Sequence, residues 1–165
     1  MRLSYAITTV VRLGHLRPAP GTWASAFALP CAWGMHLLAG PILLLGAAVA
    51  GCGLGLWAAA QEARGRPHHD PAECVIDELV GQWIAFLPVS IGAAHAGVPL
   101  TALWPGWIAA FLLFRLFDIW KPGPIGWIDA RGGAQGVMLD DVLAGVFAAL
   151  GVVALAALFH LGLGL

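Results

Sequence analysis

Long apolar stretches alternate with short polar connections along the whole chain, and this pattern predicts membrane-spanning helices. A helix that crosses a bilayer needs roughly 20 mainly apolar residues. Five stretches meet this requirement, and they cover approximately residues 22–39, 41–61, 77–96, 100–118 and 138–160. We therefore expect an all-α, multi-pass membrane helix bundle of about five transmembrane helices, formed by a single domain over residues 1–165.

The composition supports lipid rather than water as the main solvent. Hydrophobic residues make up 60% of the chain and charged residues 10%, whereas soluble domains average about 25% charged residues. The eight tryptophans fit the same view, since indole rings favour the membrane interface. The net charge of −1 argues against nucleic acid as a partner, because nucleic-acid binding requires a basic surface. The three cysteines show neither a disulfide framework nor metal-ligand spacing.

The basic residues are unevenly distributed among the connections. They lie before the first predicted span, between the second and third, and around the connection of the fourth and fifth, at Arg2, Arg12, Arg17, Arg64, Arg66, Arg115, Lys121 and Arg131. The connections at Gly40 and Gly97–Pro99 carry no Lys or Arg. The positive-inside rule then predicts a cytoplasmic N-terminus and an external C-terminus, which agrees with five crossings.

Five carboxylates border the apolar stretches on the predicted cytoplasmic side: Asp77, Glu78, Asp118, Asp140 and Asp141. A carboxylate at the rim of a bilayer is unfavourable unless it is paired or holds a cation. Oxygen ligands are those that Mg²⁺ prefers, so convergence of the five predicts a site for one or two Mg²⁺ ions. The alternative for each adjacent pair is that it begins a helix and stabilises the exposed N–H groups there.

Arg115 and Lys121 are the candidate phosphate contacts near these acids. Arg115 lies three residues before Asp118 on the same helical face, so a structural salt bridge is its alternative role. Lys121 opens the Lys-Pro-Gly-Pro turn after the fourth span, and its alternative role is that of a cytoplasmic anchor. Thr22 and Ser25 add hydroxyl groups at the start of the first span. Thr22 is predicted to cap that helix, whose N-terminus can also bind phosphate.

Taken together, these residues resemble the phosphatidylglycerophosphatase A family over most of the chain, from about Gly14 to Gly145. The resemblance rests on Pro20-Gly21-Thr22 and on three ordered blocks, namely Asp77-Glu78-Leu79-Val80-Gly81, Phe114-Arg115-Leu116-Phe117-Asp118-Ile119-Trp120-Lys121-Pro122-Gly123-Pro124-Ile125 and Gly136-Val137-Met138-Leu139-Asp140-Asp141-Val142-Leu143-Ala144-Gly145. The chain departs from the family around the first motif, where Leu16-Arg17-Pro18 and Ala24-Ser25 replace the usual Ser-Pro-rich stretch and Gly-Ser.

The resemblance implies a multi-pass enzyme of the bacterial inner membrane that removes the terminal phosphate from phosphatidylglycerophosphate, yields phosphatidylglycerol and requires Mg²⁺. The acids of the three blocks are then the expected catalytic and metal-binding positions, and a phospholipid in the bilayer is the expected partner. Direct attack by water and an aspartyl-phosphate intermediate both stay open, as does the oligomeric state. The main alternative is a small ion or proton transporter that uses the acids as a relay. Another lipid headgroup enzyme, such as a phosphoalcohol transferase, and a purely structural bundle are further alternatives.

Overall fold

A bundle of α-helices accounts for almost all of the structure, a computed structural model that describes residues 3–65 and 73–163. The helices in these ranges are α1 (Leu3–Thr8), α2 (Pro20–Gly65), α3 (Ile76–Ala96), α4 (Trp104–Trp120), α5 (Pro124–Asp129) and α6 (Gly133–Leu163), with 3₁₀ turns at Leu13–His15 and Leu100–Leu103. No β-strand occurs in the described ranges, so the all-α prediction is confirmed. Arg2 and Arg66, two of the basic residues used to predict the membrane orientation, lie outside the described residues.

Within the described residues, four helical segments are long and apolar enough to cross a membrane: Pro20–Arg64, Ile76–Ala96, Leu100–Trp120 and Gly133–Gly162. Their outward side chains are apolar, and Leu38, Ile42 and Leu161 are 81%, 81% and 82% exposed. Such exposure suits contact with lipid, in which a helix satisfies its own backbone hydrogen bonds. Trp104 and Trp120, at the two ends of α4, are also exposed, as in the aromatic belts of membrane proteins.

The longest of these segments, α2, is broken at Gly40, which has a φ of 66° and a ψ of −157°. We call residues 20–38 its first arm and residues 41–65 its second arm. Along the first arm, the indole Nε1 of Trp83 donates to the carbonyl of Ala28 at 3.0 Å, and His36 Nδ1 lies 2.7 Å from Ser90 Oγ. Residue numbers rise together in the two helices, so the first arm runs parallel to α3.

The second arm of α2 runs in the opposite direction along α3. Gly51 packs against Val80, whereas Gly55, one turn later, packs against Ile76 near the start of α3. The chain therefore reverses at Gly40, as two separate spans joined there require. This reversal agrees with the predicted division into residues 22–39 and 41–61, although the number of membrane crossings stays a prediction.

Helix α3 lies at the centre of the bundle and positions the site. Half of its most apolar window is buried, against 17–22% for the other three segments. Phe86 of α3 is fully buried and meets Trp107 of α4 edge-to-face, with ring centroids 5.0 Å apart. Since lipid tails are as apolar as these side chains, close van der Waals packing rather than transfer from water stabilises the contact between helices.

Candidate active site

Three carboxylates from two helices form the centre of the site. One carboxylate oxygen from each of Asp77, Glu78 and Asp141 lies within 4.8 Å of the other two. Asp77 and Glu78 occupy the first turn of α3, and Asp141 belongs to α6. The structure therefore brings together acids that are more than 60 residues apart in sequence. We refer to Asp77, Glu78 and Asp141 as the acidic trio.

Two glycines allow α3 and α6 to approach closely enough for this arrangement. A Cβ atom added to Gly81 would lie 2.7 Å from the backbone carbonyl oxygen of Asp141 and would also collide with Phe114. A Cβ atom added to Gly145 would overlap the carbonyl group of Gly81. Small residues of this kind let membrane helices pack backbone to backbone. The separation between the two halves of the acidic trio is therefore set by glycine.

Asp118 from α4 stands beside the acidic trio and is paired with Arg115. The Oδ2 atom of Asp118 lies 2.6 Å from Arg115 Nη1, one helical turn earlier, so the predicted salt bridge is present. The Asp118 carboxylate also interacts with those of Asp141 and Glu78. A fourth acid thus reaches the trio, but it brings its own cation.

Asp140, although adjacent in sequence to Asp141, interacts with a different group. Its Oδ2 atom accepts a hydrogen bond from Lys121 Nζ at 2.6 Å, and the same Nζ donates to Asp129 Oδ1 at 2.6 Å. Burial alone would lower the pKa of Lys121, but the hydrogen bonds to Asp129 and Asp140 outweigh it and raise that pKa above its ordinary value. Lys121 therefore stays charged and neutralises Asp140 rather than standing free beside the trio.

The local chain path explains how Lys121 reaches these acids. Lys121 ends α4 in the left-handed conformation, with a φ of 48°, and its N–H donates to the Phe117 carbonyl at 2.8 Å. The following Pro-Gly-Pro segment starts the short helix α5, whose last residue is Asp129. Asp129 is a residue that the sequence analysis missed. The sequence feature that could have identified Asp129 is a carboxylate within ten residues of Lys121, on the other side of a proline-rich turn.

Ser25 and Thr22 lie near the site in different ways. Ser25 is fully buried; its hydroxyl donates to the Gly21 carbonyl at 2.9 Å and accepts a longer contact from Arg115 Nη1 at 3.4 Å. Gly21 itself packs against Glu78. Thr22 is half-buried in the first turn of α2. The prediction that Thr22 caps this helix is wrong, because Pro20, with its fixed φ, already begins α2.

The position of Asp140 and Asp141 differs from the prediction that both acidic pairs begin helices. Asp77 and Glu78 do lie in the first turn of α3. Helix α6, however, begins at Gly133, so Asp140 and Asp141 lie about two turns inside it. The glycine-rich segment before them is part of this helix, and Gly136 within it lies close to the carbonyl groups of residues 128 and 129. Capping therefore does not account for this pair.

The charge balance and the donor set of the acidic trio fit a divalent cation. Lys121 pairs with Asp140 and Asp129, and Arg115 pairs with Asp118. No residue in the described ranges forms an ion pair with the trio. The Oε2 atom of Glu78 is buried and has no hydrogen-bond partner within those ranges. Three clustered carboxylates without a cation partner are unfavourable in a poorly solvated place, and oxygen donors of this kind are the usual ligands of Mg²⁺.

Comparisons with known proteins identify relatives across most of the chain. Residues 6–156 match the protein family described as phosphatidylglycerophosphatase A. The phosphatidylglycerophosphatase A of Escherichia coli (strain K12) is 35% identical over 132 residues, which are 79% of this chain and 70% of that protein. The phosphatidylglycerophosphatase A of Haemophilus influenzae (strain Rd) is 35% identical over 144 residues, 86% of this chain and 82% of that protein.

A further relative carries a different name. A putative phosphatidylinositol-3-phosphatase of Bacteroides thetaiotaomicron is 43% identical over 94 residues, which are 56% of this chain and 53% of that protein. No solved structure gives a significant match. All three relatives are named as lipid phosphatases, and none of these findings supports the alternative of an ion or proton transporter.

Proposed function

The chain belongs to the phosphatidylglycerophosphatase A family, and from this premise we propose that its acidic centre hydrolyses phosphatidylglycerophosphate to phosphatidylglycerol and phosphate. In this proposal the reaction requires Mg²⁺ and takes place at the cytoplasmic face of a bacterial inner membrane. The observation that carries the proposal is the acidic trio, whose oxygens converge within 4.8 Å without a cation partner in the described ranges. A binding site for a metal ion and a phosphate explains that arrangement better than helix capping does.

In this proposal, the acidic trio holds the metal, and Asp118, which pairs with Arg115 beside the trio, positions that guanidinium. The chemistry that Mg²⁺ supplies when bound in such sites is Lewis-acid polarisation of a phosphoryl oxygen. Asp140 has a separate role: it accepts a hydrogen bond from Lys121 at 2.6 Å and fixes the position of that cation. The positive charge of Lys121 is then proposed to act on the phosphate from this fixed position.

Arg115 is proposed to bind the phosphate directly. Asp118 pairs with its Nη1 atom at 2.6 Å, and the same atom makes a longer contact of 3.4 Å with Ser25 Oγ, so two groups fix the position of Nη1. Its Nε atom is buried and has no partner within the described residues, so it is available to a phosphoryl oxygen. Planar guanidinium groups suit such oxygens. Thr22, half-buried in the first turn of α2, is proposed to face the same headgroup.

The cytoplasmic placement is supported by the distribution of charge. The acids lie at the end of the bundle where α3 and α6 begin and α4 ends. The described connections at that end carry basic residues, at Arg12, Arg17, Arg64, Lys121 and Arg131, whereas the opposite turns at Gly40 and Gly97 carry none. Short loops rich in Lys and Arg stay in the cytoplasm. The phosphate that reacts would then be reached along the inner leaflet.

The test is phosphate release from defined lipids by the purified protein in vesicles. We expect Mg²⁺-dependent release from phosphatidylglycerophosphate, abolished by a chelator, and a loss of about 10²–10³-fold in Asp141→Asn, since a charge that holds the metal beside the reacting phosphate is removed. Asp129→Asn is the comparison variant, because it removes the same charge at a half-exposed position outside the trio and leaves Lys121 paired with Asp140, so its loss of activity should be much smaller. Full activity of Asp141→Asn, or release that ignores chelation, would contradict the assignment. Faster hydrolysis of phosphatidylinositol 3-phosphate than of phosphatidylglycerophosphate would contradict the proposed substrate.

A further inference from the structure

One fully buried amide near the acidic trio has no place in the mechanism so far. Gln82 of α3 is 0% exposed, and neither its Nε2 nor its Oε1 atom has a hydrogen-bond partner within the described residues. The finding does not depend on which way the amide is turned, since both atoms are unpartnered. Buried polar groups are nearly always hydrogen-bonded, so an orphaned amide requires an explanation.

The direction of Gln82 follows from its two neighbours in the helix. Gly81 faces Phe114 of α4, and Trp83 faces Ala28 in the first arm of α2. Successive residues of an α-helix differ by about 100° in direction, so Gln82, between them, points to the seam between α4 and α2. It also lies one turn after Glu78 on the same face of α3, and therefore about 6 Å further along the helix axis.

The same seam contains the other unpartnered polar atoms of the site. Arg115, which follows Phe114 in α4, crosses the seam to contact Ser25 of α2 at 3.4 Å, and its Nε atom has no partner in the described ranges. Glu78, below Gln82, leaves Oε2 unpartnered there too. The proposed function assigns the Arg115 donor to the phosphate and the Glu78 acceptor to the metal, so one donor and one acceptor, both on Gln82, are left for another ligand at this seam.

This mixture selects the kind of ligand that fits. A phosphoryl oxygen only accepts hydrogen bonds, so it would leave the Oε1 atom of Gln82 unsatisfied. An alcohol hydroxyl accepts from one donor and donates to one acceptor from a single position. Building on the proposed function, we infer that Gln82 is a specificity-determining residue that binds the free hydroxyl of the headgroup glycerol, while the terminal phosphate lies at the acidic trio.

A substitution at Gln82 should change activity and stability in opposite directions. Replacing Gln82 with Met keeps the size of the side chain and removes two orphaned polar atoms, so the variant is expected to fold with an equal or higher melting temperature. A residue with only a structural role would then show no loss of activity. Gln135→Met is the matched control, because Gln135 lies in the first turn of α6 and is exposed.

The experiment compares two lipids in vesicles: phosphatidylglycerophosphate, and an analogue in which propane-1,3-diol replaces the headgroup glycerol and removes its hydroxyl. We expect the parent protein to prefer the hydroxylated lipid by about 10–100-fold in kcat/KM. Gln82→Met should lose that preference by slowing only on the hydroxylated lipid, and Gln135→Met should keep it. Equal slowing on both lipids, or an unchanged preference in Gln82→Met, would overturn the inference while leaving the phosphatase proposal intact. If the parent protein hydrolyses neither lipid, the proposed function is wrong and this inference fails with it.

Discussion

Replacing Gly81 with Ala tests whether the spacing between α3 and α6 sets the geometry of the acidic trio. The added Cβ atom would collide with the ring of Phe114 and would lie 2.7 Å from the backbone carbonyl oxygen of Asp141, whereas ordinary contact begins at 3.4 Å. A backbone oxygen cannot rotate away, so α6 must recede by about 0.7 Å at this point. Asp141 would move with it, away from Asp77 and Glu78. A displacement of about 1 Å in a catalytic group can reduce activity by roughly 10²-fold, so we expect a loss of about 10–100-fold in kcat/KM.

The effect on stability is expected to be smaller than the effect on activity. Overpacking destabilises a well-packed core by about 1–3 kcal/mol, and replacing glycine with alanine inside a helix returns about 0.5–1 kcal/mol. Gly92→Ala is the matched control in the same helix, because its Cβ atom would meet only Leu103 Cδ1 at an ordinary 3.7 Å. We therefore expect Gly92→Ala to keep its activity and to melt at the same temperature or slightly higher.

The assay measures phosphate release from phosphatidylglycerophosphate vesicles together with thermal unfolding in detergent. Reduced activity in Gly81→Ala with a folded protein, alongside an active Gly92→Ala, would agree with the geometric argument. If Gly81→Ala folds and its kcat/KM lies within threefold of that of the parent protein, the separation between α3 and α6 does not determine activity. The close approach of the two backbones would then be a packing feature alone.

Two further predictions concern charges beside the site. Lys121→Met should destabilise the protein by about 1–3 kcal/mol, since it leaves the buried Asp140 carboxylate without its hydrogen-bond donor, and adding Asp140→Asn should restore much of the loss. Because the pKa of Lys121 is raised, the stability that its charge contributes is fully present at any pH below the ordinary lysine pKa of 10.5. The melting temperature of Lys121→Met should therefore fall below that of the parent protein by the same amount at pH 7 and at pH 9. Burial, followed by the charges of the acidic centre, raises the pKa of Cys74 to about 12 from its usual 9.0. In a background without Cys31 and Cys52, maleimide should therefore label Cys74 slowly at pH 8, and Mg²⁺ bound at the acidic centre should accelerate labelling; a rate unchanged by Mg²⁺ would contradict binding there.

The apolar helices could be predicted from sequence because their signal is local. Span three was expected at residues 77–96, and α3 extends over Ile76–Ala96. Hydropathy and length are enough for this, since a bilayer requires an unbroken apolar stretch of a defined length. The salt bridge between Arg115 and Asp118 was foreseeable for a similar reason: both residues lie on one helix, and their spacing brings their side chains together.

Features that depend on packing between helices could not be predicted in this way. The sequence pattern placed Asp140 and Asp141 at a helix start, whereas α6 begins about two turns earlier, where Gly136 packs closely against the end of α5. Asp129 and Gln82 were missed for a related reason. A single carboxylate in a turn and a single amide in an apolar helix become notable only when Lys121 and the seam between α2 and α4 are placed beside them.

Adjacent acids in one helix can have different roles, and Asp140 and Asp141 show how. Their directions differ by about 100°, so one faces Lys121 while the other faces α3. A sequence that contains five acids and two cations near one another gives only a net negative charge. The structure divides that charge into Asp140 with Lys121, Asp118 with Arg115, and a trio that forms no ion pair within the described residues. A divalent ion competes poorly for carboxylates that a fixed cation already neutralises. The binding free energy of an added cation should therefore be most favourable at the trio. The position of each cation, rather than the number of acids, therefore determines which carboxylates are available to a metal.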